Sequence, residues 1–225
     1  MQVDILTSGS SGNATIINGE ILIDCGISYS ALEEYKDSLK LVLLTHAHSD
    51  HFRESTIQKL AKERPTVRFA TPSYLVAKLV QCGVRKSNID VLEYEKWTRY
   101  TESLAVKMFD LPHGSYAKNV QKNIAVENVG YKLEIGKNKV IYATDTSSME
   151  GVKAKGYDLY LIEANYSERE LAERVAEATR NGEFTHEKYS RLNHLSKEKC
   201  DAWLAKNMGE NGQIVYMHKS KYAKY

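Results

Sequence analysis

Five short apolar-rich runs in this chain stop at a histidine or an acid: LVLLT at His46, KMFDLP at His113, VIYAT at Asp145, LYLI at Glu163 and IVYM at His218. Runs such as LVLLT suit strands covered on both faces. In open α/β folds the carboxyl ends of the strands are where sites assemble. Residues far apart in sequence can therefore reach one rim, and the chain is constrained to an α/β architecture whose strand ends carry the chemistry.

The remaining pattern agrees. VDIL and ATIINGEILID read as strands, with Asn18-Gly19 as a two-residue hairpin turn. Helices are expected over Tyr29 to Leu39, over Phe52 to Lys62 and from Pro72 to a stop at Gly83. A second hairpin turns at Gly136 to Asn138. Ser167 and Glu170 have the spacing of a capping box ahead of LAERVAEA, whose Leu171, Val175 and Ala178 share one face. A last helix, LSKEKCDAWLAKN, leads into the strand QIVYM. With no repeats and no low-complexity tract, 225 residues read as one domain, 1–225.

Lysine plus arginine exceed aspartate plus glutamate by only 31 to 29, so no global positive field points to a nucleic-acid partner. The tail KSKYAKY is the most basic short stretch. Cys25, Cys82 and Cys200 are odd in number and widely spaced, which argues against a disulfide framework or a thiolate zinc site. No apolar run is long enough to span a bilayer and VDILTSG is no leader, so a cytoplasmic protein without a membrane partner is expected.

The densest feature is H-x-H-x-D-H: His46, His48, Asp50 and His51, holding three of only seven histidines. Imidazole and carboxylate donors without thiolates suit a catalytic divalent site that keeps a position open. Two histidines two residues apart can address one ion, and the acid and histidine that follow can address a second. Read alone, His113 and Asp145 are equally compatible with turn roles, and His194 with a helix start.

This segment resembles the signature of the metallo-β-lactamase superfamily, and LTSGSSGNATIINGEILIDCG resembles its opening hairpin, with Asp24 at the strand end. The resemblance implies a four-layer αβ/βα sandwich with two divalent metal ions, zinc foremost and manganese the alternative. One ion falls to His46, His48 and His113, the second to Asp50, His51 and His218, with Asp145 bridging. It further implies a metal-activated hydroxide as nucleophile, partnered by Asp50. His194 in "RLNHLSKEKC" resembles the extra histidine of the phosphodiesterase branches, a general acid for the leaving oxygen, and "LIEANYSERELAE" places Glu163 in its support. His186 matches no motif and is expected at the surface.

The opening is most similar to the YycJ-type branch, where the turn SGSSGN borders the site, which makes Ser11 and Asn13 candidate substrate contacts. The short, armless layout resembles the phage-encoded anti-Pycsar phosphodiesterases, which act on 3′,5′-cyclic nucleotides in a host cytoplasm. RNase Z-like and YycJ-type nucleases are the alternative, with a nucleic-acid substrate. A thioester or lactone hydrolase is disfavoured by the His194 region, and a non-catalytic module by the full ligand set. Tyr116 or Tyr166 could stack on a base, and a homodimer is implied by the resemblance.

Overall fold

The computed structural model describes residues 1–117, 122–183 and 190–225. His186 lies outside the described residues, as does the side chain of Tyr116. The chain divides into two compact units, Met1–Thr98 and Arg99–Tyr225.

The first unit carries a six-stranded sheet in chain order: β1 (Val3–Thr7), β2 (Ala14–Ile17), β3 (Ile21–Ile23), β4 (Leu41–Leu43), β5 (Arg68–Thr71) and β6 (Ile89–Val91). β1 to β3 run antiparallel, and β3 to β6 pair in parallel. The Asn18-Gly19 turn forms as expected, with both residues at positive φ (52° and 70°), the conformation a type I′ hairpin needs. β3 and β4 are buried throughout, consistent with their unbroken apolar sequence. Helix α1 (Glu54–Glu63) turns Ile57 and Leu60 into a core with Leu22, Val42, Leu44 and Phe69. Each such side chain, taken out of water, contributes about 1.5–3 kcal/mol.

Two of the expected helices are shorter. Only Tyr29–Leu32 forms a 3-10 turn where a helix to Leu39 was anticipated, with Leu32 its one buried residue. Pro72 precedes a 3-10 turn at Ser73–Leu75 and then α2 (Val76–Gln81), after which Gly83 takes φ +84°.

The second unit's sheet has the order β14-β13-β12-β11-β8-β7, built from β7 (Trp97–Thr101), β8 (Leu104–Asp110), β11 (Val129–Ile135), β12 (Asn138–Ala143), β13 (Leu159–Glu163) and β14 (Gln213–Met217). β8, β11 and β12 are antiparallel, while β12, β13 and β14 are parallel. A separate ribbon pairs β9 (His113–Ala117) with β10 (Lys122–Val126). After the single turn α4 (Ser190–Asn193), helix α5 (Lys197–Asn207) packs Cys200 and Leu204 against Ile141, Tyr160 and Ile162. Among the described residues no helix is long and apolar enough to cross a membrane.

The expected capping box does not form. Helix α3 (Glu168–Arg180) starts after Ser167, but the Ser167 hydroxyl donates to Glu198 Oε1 (2.9 Å), and Glu198 Oε2 accepts from the Glu168 N–H (3.0 Å). In return Glu168 Oε1 accepts from Ser196, the cap of α5, whose hydroxyl accepts from the Lys199 N–H (3.2 Å). The two helices thus exchange acids: Glu198 of α5 meets the orphan Glu168 N–H of α3, while α5 is capped by its own Ser196, whose hydroxyl Glu168 holds. The Leu171 face is as expected, with Val175 and Ala178 half-buried beside it.

All three cysteines are free and buried. Burial pushes every thiol up, Cys200 to about 12, and at Cys25 the neighbouring Asp24 charge adds to the rise. Native protein at pH 8 should therefore leave a chromogenic disulfide reagent unreacted over minutes and release three equivalents only once denatured. A fast native equivalent would contradict this packing.

Candidate metal centre

In the first unit the ligand-bearing loop leaves β4 at Leu44 and enters α1 after Arg53, and its backbone is pinned from below. The Cys25 N–H donates to His51 O (2.8 Å), the Arg53 N–H to Cys25 O (2.9 Å) and the Asn13 N–H to Asp50 O (2.6 Å). A Cβ built on Gly26 would lie 1.7 Å from the Asp50 carbonyl oxygen, so only glycine permits this approach.

Asp24, one residue past β3 and wholly buried, organises the imidazoles. Its Oδ1 accepts from the Thr45 N–H (3.0 Å) and hydroxyl (2.9 Å), and its Oδ2 lies 2.7 Å from His51 Nδ1. Thr45 Oγ1 in turn lies 3.0 Å from His46 Nδ1. With the Thr45 proton directed at Asp24, Nδ1 of both His46 and His51 is the protonated nitrogen, and Nε2 of each carries the lone pair. His46 Nε2 sits 3.1 Å from His48 Nδ1. Two nitrogens each about 2.0 Å from a tetrahedral zinc ion lie about 3.3 Å apart, so this pair fits one ion. His51 Nε2 faces Asp50 Oδ2 at 3.7 Å, a second donor pair.

The same logic recurs in the second unit. Glu163, the last residue of β13 and wholly buried, has Oε1 2.7 Å from His194 Nδ1 and 3.1 Å from His218 Nδ1. Its Oε2 accepts from the N–H groups of Thr146 (2.7 Å) and Leu195 (3.3 Å). His218 Nε2 then faces Asp145 Oδ1 at 3.0 Å, while Asp145 Oδ2 lies 3.8 Å from His113 Nε2, whose Nδ1 is directed at Asn193 O (3.3 Å). One carboxylate turning each oxygen to a different imidazole is the disposition of a bridging ligand. Asp145, Glu163, His194 and His218 bring ligand atoms within 4.8 Å of one another. Four donors already meet the Glu163 oxygens, so that residue anchors and orients the other members of the group.

Burial raises the Glu163 carboxyl, but the charge and hydrogen bonds of His194 and His218 outweigh it and hold Glu163 below the usual carboxylate range. Burial likewise disfavours charge on His194, and Glu163 overrides it, holding that imidazole above the usual histidine value. The ring of His194 stacks on His218 with centroids 5.2 Å apart.

Three further positions were expected near a substrate, and the burial of Tyr166 overturns its stacking role. Asn13 is buried, its amide donating to Gly9 O (3.1 Å) and Asp50 O (3.2 Å) and lying 2.8 Å from His51 Nε2, which makes it a brace of the ligand loop. Ser11 is exposed on the same turn, and no hydrogen bond links it to the histidines. Tyr166 is 2% exposed, so its ring has no face for a base. Sequence reasoning missed Thr45, which relays Asp24 to His46, and also Asn128 and Asn165. The Asn128 amide donates to Asp145 O (2.7 Å) and the Asn165 amide to His218 O (2.7 Å).

With this geometry in place, the comparisons agree on one class. Residues 20–218 match the model of the beta-lactamase superfamily domain, and the chain belongs to that family. The Zn(2+)-bound PqqB of Methylobacterium extorquens superimposes with a TM-score of 0.70 at 16% identity, covering 99% of this chain and 90% of that one. Human tRNase Z, short form, gives 0.68 at 15% identity, covering 98% and 93%. These likenesses establish the metallo-β-lactamase fold of mixed sheets and helices. Among curated proteins, the cytidine monophosphate-N-acetylneuraminic acid hydroxylase of Sus scrofa is 31% identical over 96 residues, 41% of this chain. The match spans only 21% of that relative's length.

If Asp24 sets the tautomers of His46 and His51, Asp24→Asn should weaken zinc binding about 10–100-fold in competition with a chromogenic chelator, while far-UV circular dichroism stays native. Unchanged affinity would show that the rings hold their orientation without it.

Proposed function

We propose that this chain is a metal-dependent phosphodiesterase acting on 3′,5′-cyclic mononucleotides, the activity implied by its resemblance to the YycJ-type and anti-Pycsar branches. The observation that carries the reading is the hydrogen bond of 2.7 Å between His194 and the buried Glu163, next to His218 and Asp145. A sugar alkoxide is a poor leaving group, and a histidine held by a carboxylate is suited to protonate it. A thioester hydrolase, whose departing thiolate is a weak base, has less need of such an acid.

Family membership and the donor sets of the two units support the ligand assignment: His46, His48 and His113 for one ion, Asp50, His51 and His218 for the other, and Asp145 shared. All are imidazole or carboxylate donors, which fits zinc, with manganese the alternative. When bound, such ions acidify water and stabilise charge on a substrate's oxygens. The chain's own residues then divide the remaining work. Asp24 and Glu163 hold the rings in one tautomer, Asp50 accepts the hydrogen bond of the attacking nucleophile, and His194 gives its proton to the departing sugar oxygen. The family match contains residues of both units, in keeping with one functional domain over 1–225. A cytoplasmic setting and a homodimer go with the same reading.

A nuclease is the second reading, favoured by one feature. Tyr222, 43% exposed, has Lys221 Nζ 4.9 Å and Arg174 Cζ 5.1 Å from its ring centre, a cation-flanked platform of the kind that stacks single-stranded bases.

Metal-loaded protein offered the four cyclic mononucleotides beside single- and double-stranded DNA and RNA should convert only the former, and Asp145→Ala should abolish turnover. Degradation of polymers alone would select the nuclease. His194→Ala should lower kcat/KM for a cyclic nucleotide about 10²–10⁴-fold, and bis-p-nitrophenyl phosphate, whose leaving group needs no proton, far less. Equal losses on both would remove His194 from the acid role.

A further inference from the structure

Within the second unit a cavity of about 460 Å³ opens directly beside His113. Its wall is apolar on one side, from Pro112, Val126 and Leu192, the last 54% exposed. Two carboxylates, Asp110 at the end of β8 and Glu127 just past β10, also line it, with His113 and Ser147, and neither lysine nor arginine is among its described lining residues. Among the described lining residues a polyanionic strand would meet two carboxylates and no lysine or arginine. A flat, uncharged ring that carries an amine meets both an apolar surface and hydrogen-bond acceptors.

We propose that this cavity receives the nucleobase of the substrate and, through Asp110 and Glu127, selects bases whose amine replaces the carbonyl of uracil or hypoxanthine, the 4-amino group of cytosine and the 6-amino group of adenine. The inference rests on the phosphodiesterase reading and adds the substrate's base to it. A carboxylate accepts from the cytosine 4-amino or adenine 6-amino group, whereas uracil and hypoxanthine present a carbonyl oxygen at the same position and repel it. Leu192 and Val126 would cover the ring faces, work an exposed leucine does cheaply because its cost in water is recovered on binding. The volume suits one mononucleotide, within the range of small-ligand sites.

The test reads ratios, so that losses common to all substrates cancel. Wild-type protein with zinc should show kcat/KM for cyclic CMP over cyclic UMP, and for cyclic AMP over cyclic IMP, of about tenfold, the order one such hydrogen bond supplies. Glu127→Gln combined with Asp110→Asn should bring both ratios close to one. A wild type without the preference, or a double variant that retains it, overturns the assignment. Should no cyclic nucleotide be turned over, the phosphodiesterase reading falls by itself, and calorimetric binding of CMP and UMP to the zinc-loaded protein decides the cavity. Binding of CMP about tenfold tighter, lost in the double variant, sustains it; equal binding ends it.

Discussion

Two wholly buried carboxylates, Asp24 and Glu163, are what the two histidine clusters depend on, one within each compact unit. A buried charge is tolerated only when its oxygens are filled by donors. Asp24 takes the backbone and hydroxyl of Thr45 and the ring of His51; Glu163 takes two backbone N–H groups and two imidazoles. Satisfying the acid and orienting the rings are therefore one event. Each carboxylate fixes which nitrogen keeps its proton, and so directs the opposite lone pair of each imidazole toward the neighbouring acids and histidines. Both acids stand at carboxyl ends of parallel strands, where the next segment's N–H groups point at them.

Strain is the second constraint. Asp24, Asp145 and His218 all lie at positive φ (60°, 52° and 48°), conformations that cost about 1–3 kcal/mol each in a residue with a side chain. Each follows a strand of the parallel part of its sheet, and the left-handed turn swings its side chain off the strand direction. The offsetting contacts are specific. Asn128 clamps the carbonyls of Thr144 and Asp145, Asn165 clamps that of His218, and the Asp24 N–H continues the sheet to Leu43 O.

What the sequence reveals follows from what periodicity and local chemistry can encode. The Asn18-Gly19 hairpin, the buried β3 and β4, and the H-x-H-x-D-H loop are local, and the structure has them where they were expected. The capping acid of α3 comes from α5, thirty residues away, so no local box could announce it. Thr45, Asn128 and Asn165 look like ordinary strand-end and turn residues; their roles exist only once segments 16 to 53 positions apart are in contact. Asn13 has a role that its glycine-rich turn does not announce: its amide and backbone hold the loop that carries Asp50 and His51.

Glu163 also ties two roles together. The same oxygen, Oε1, is shared by His194 and His218, at 2.7 and 3.1 Å. Any gain of proton affinity at His194 draws on the charge that orients His218, and a fully committed His218 leaves less of that charge for His194. The protonation of His194 and the orientation of His218 therefore both depend on a single carboxylate, fixed in place by the N–H groups of Thr146 and Leu195. A change at Glu163 itself must disturb both rings at once, whereas changes at His194 and His218 act on one ring each.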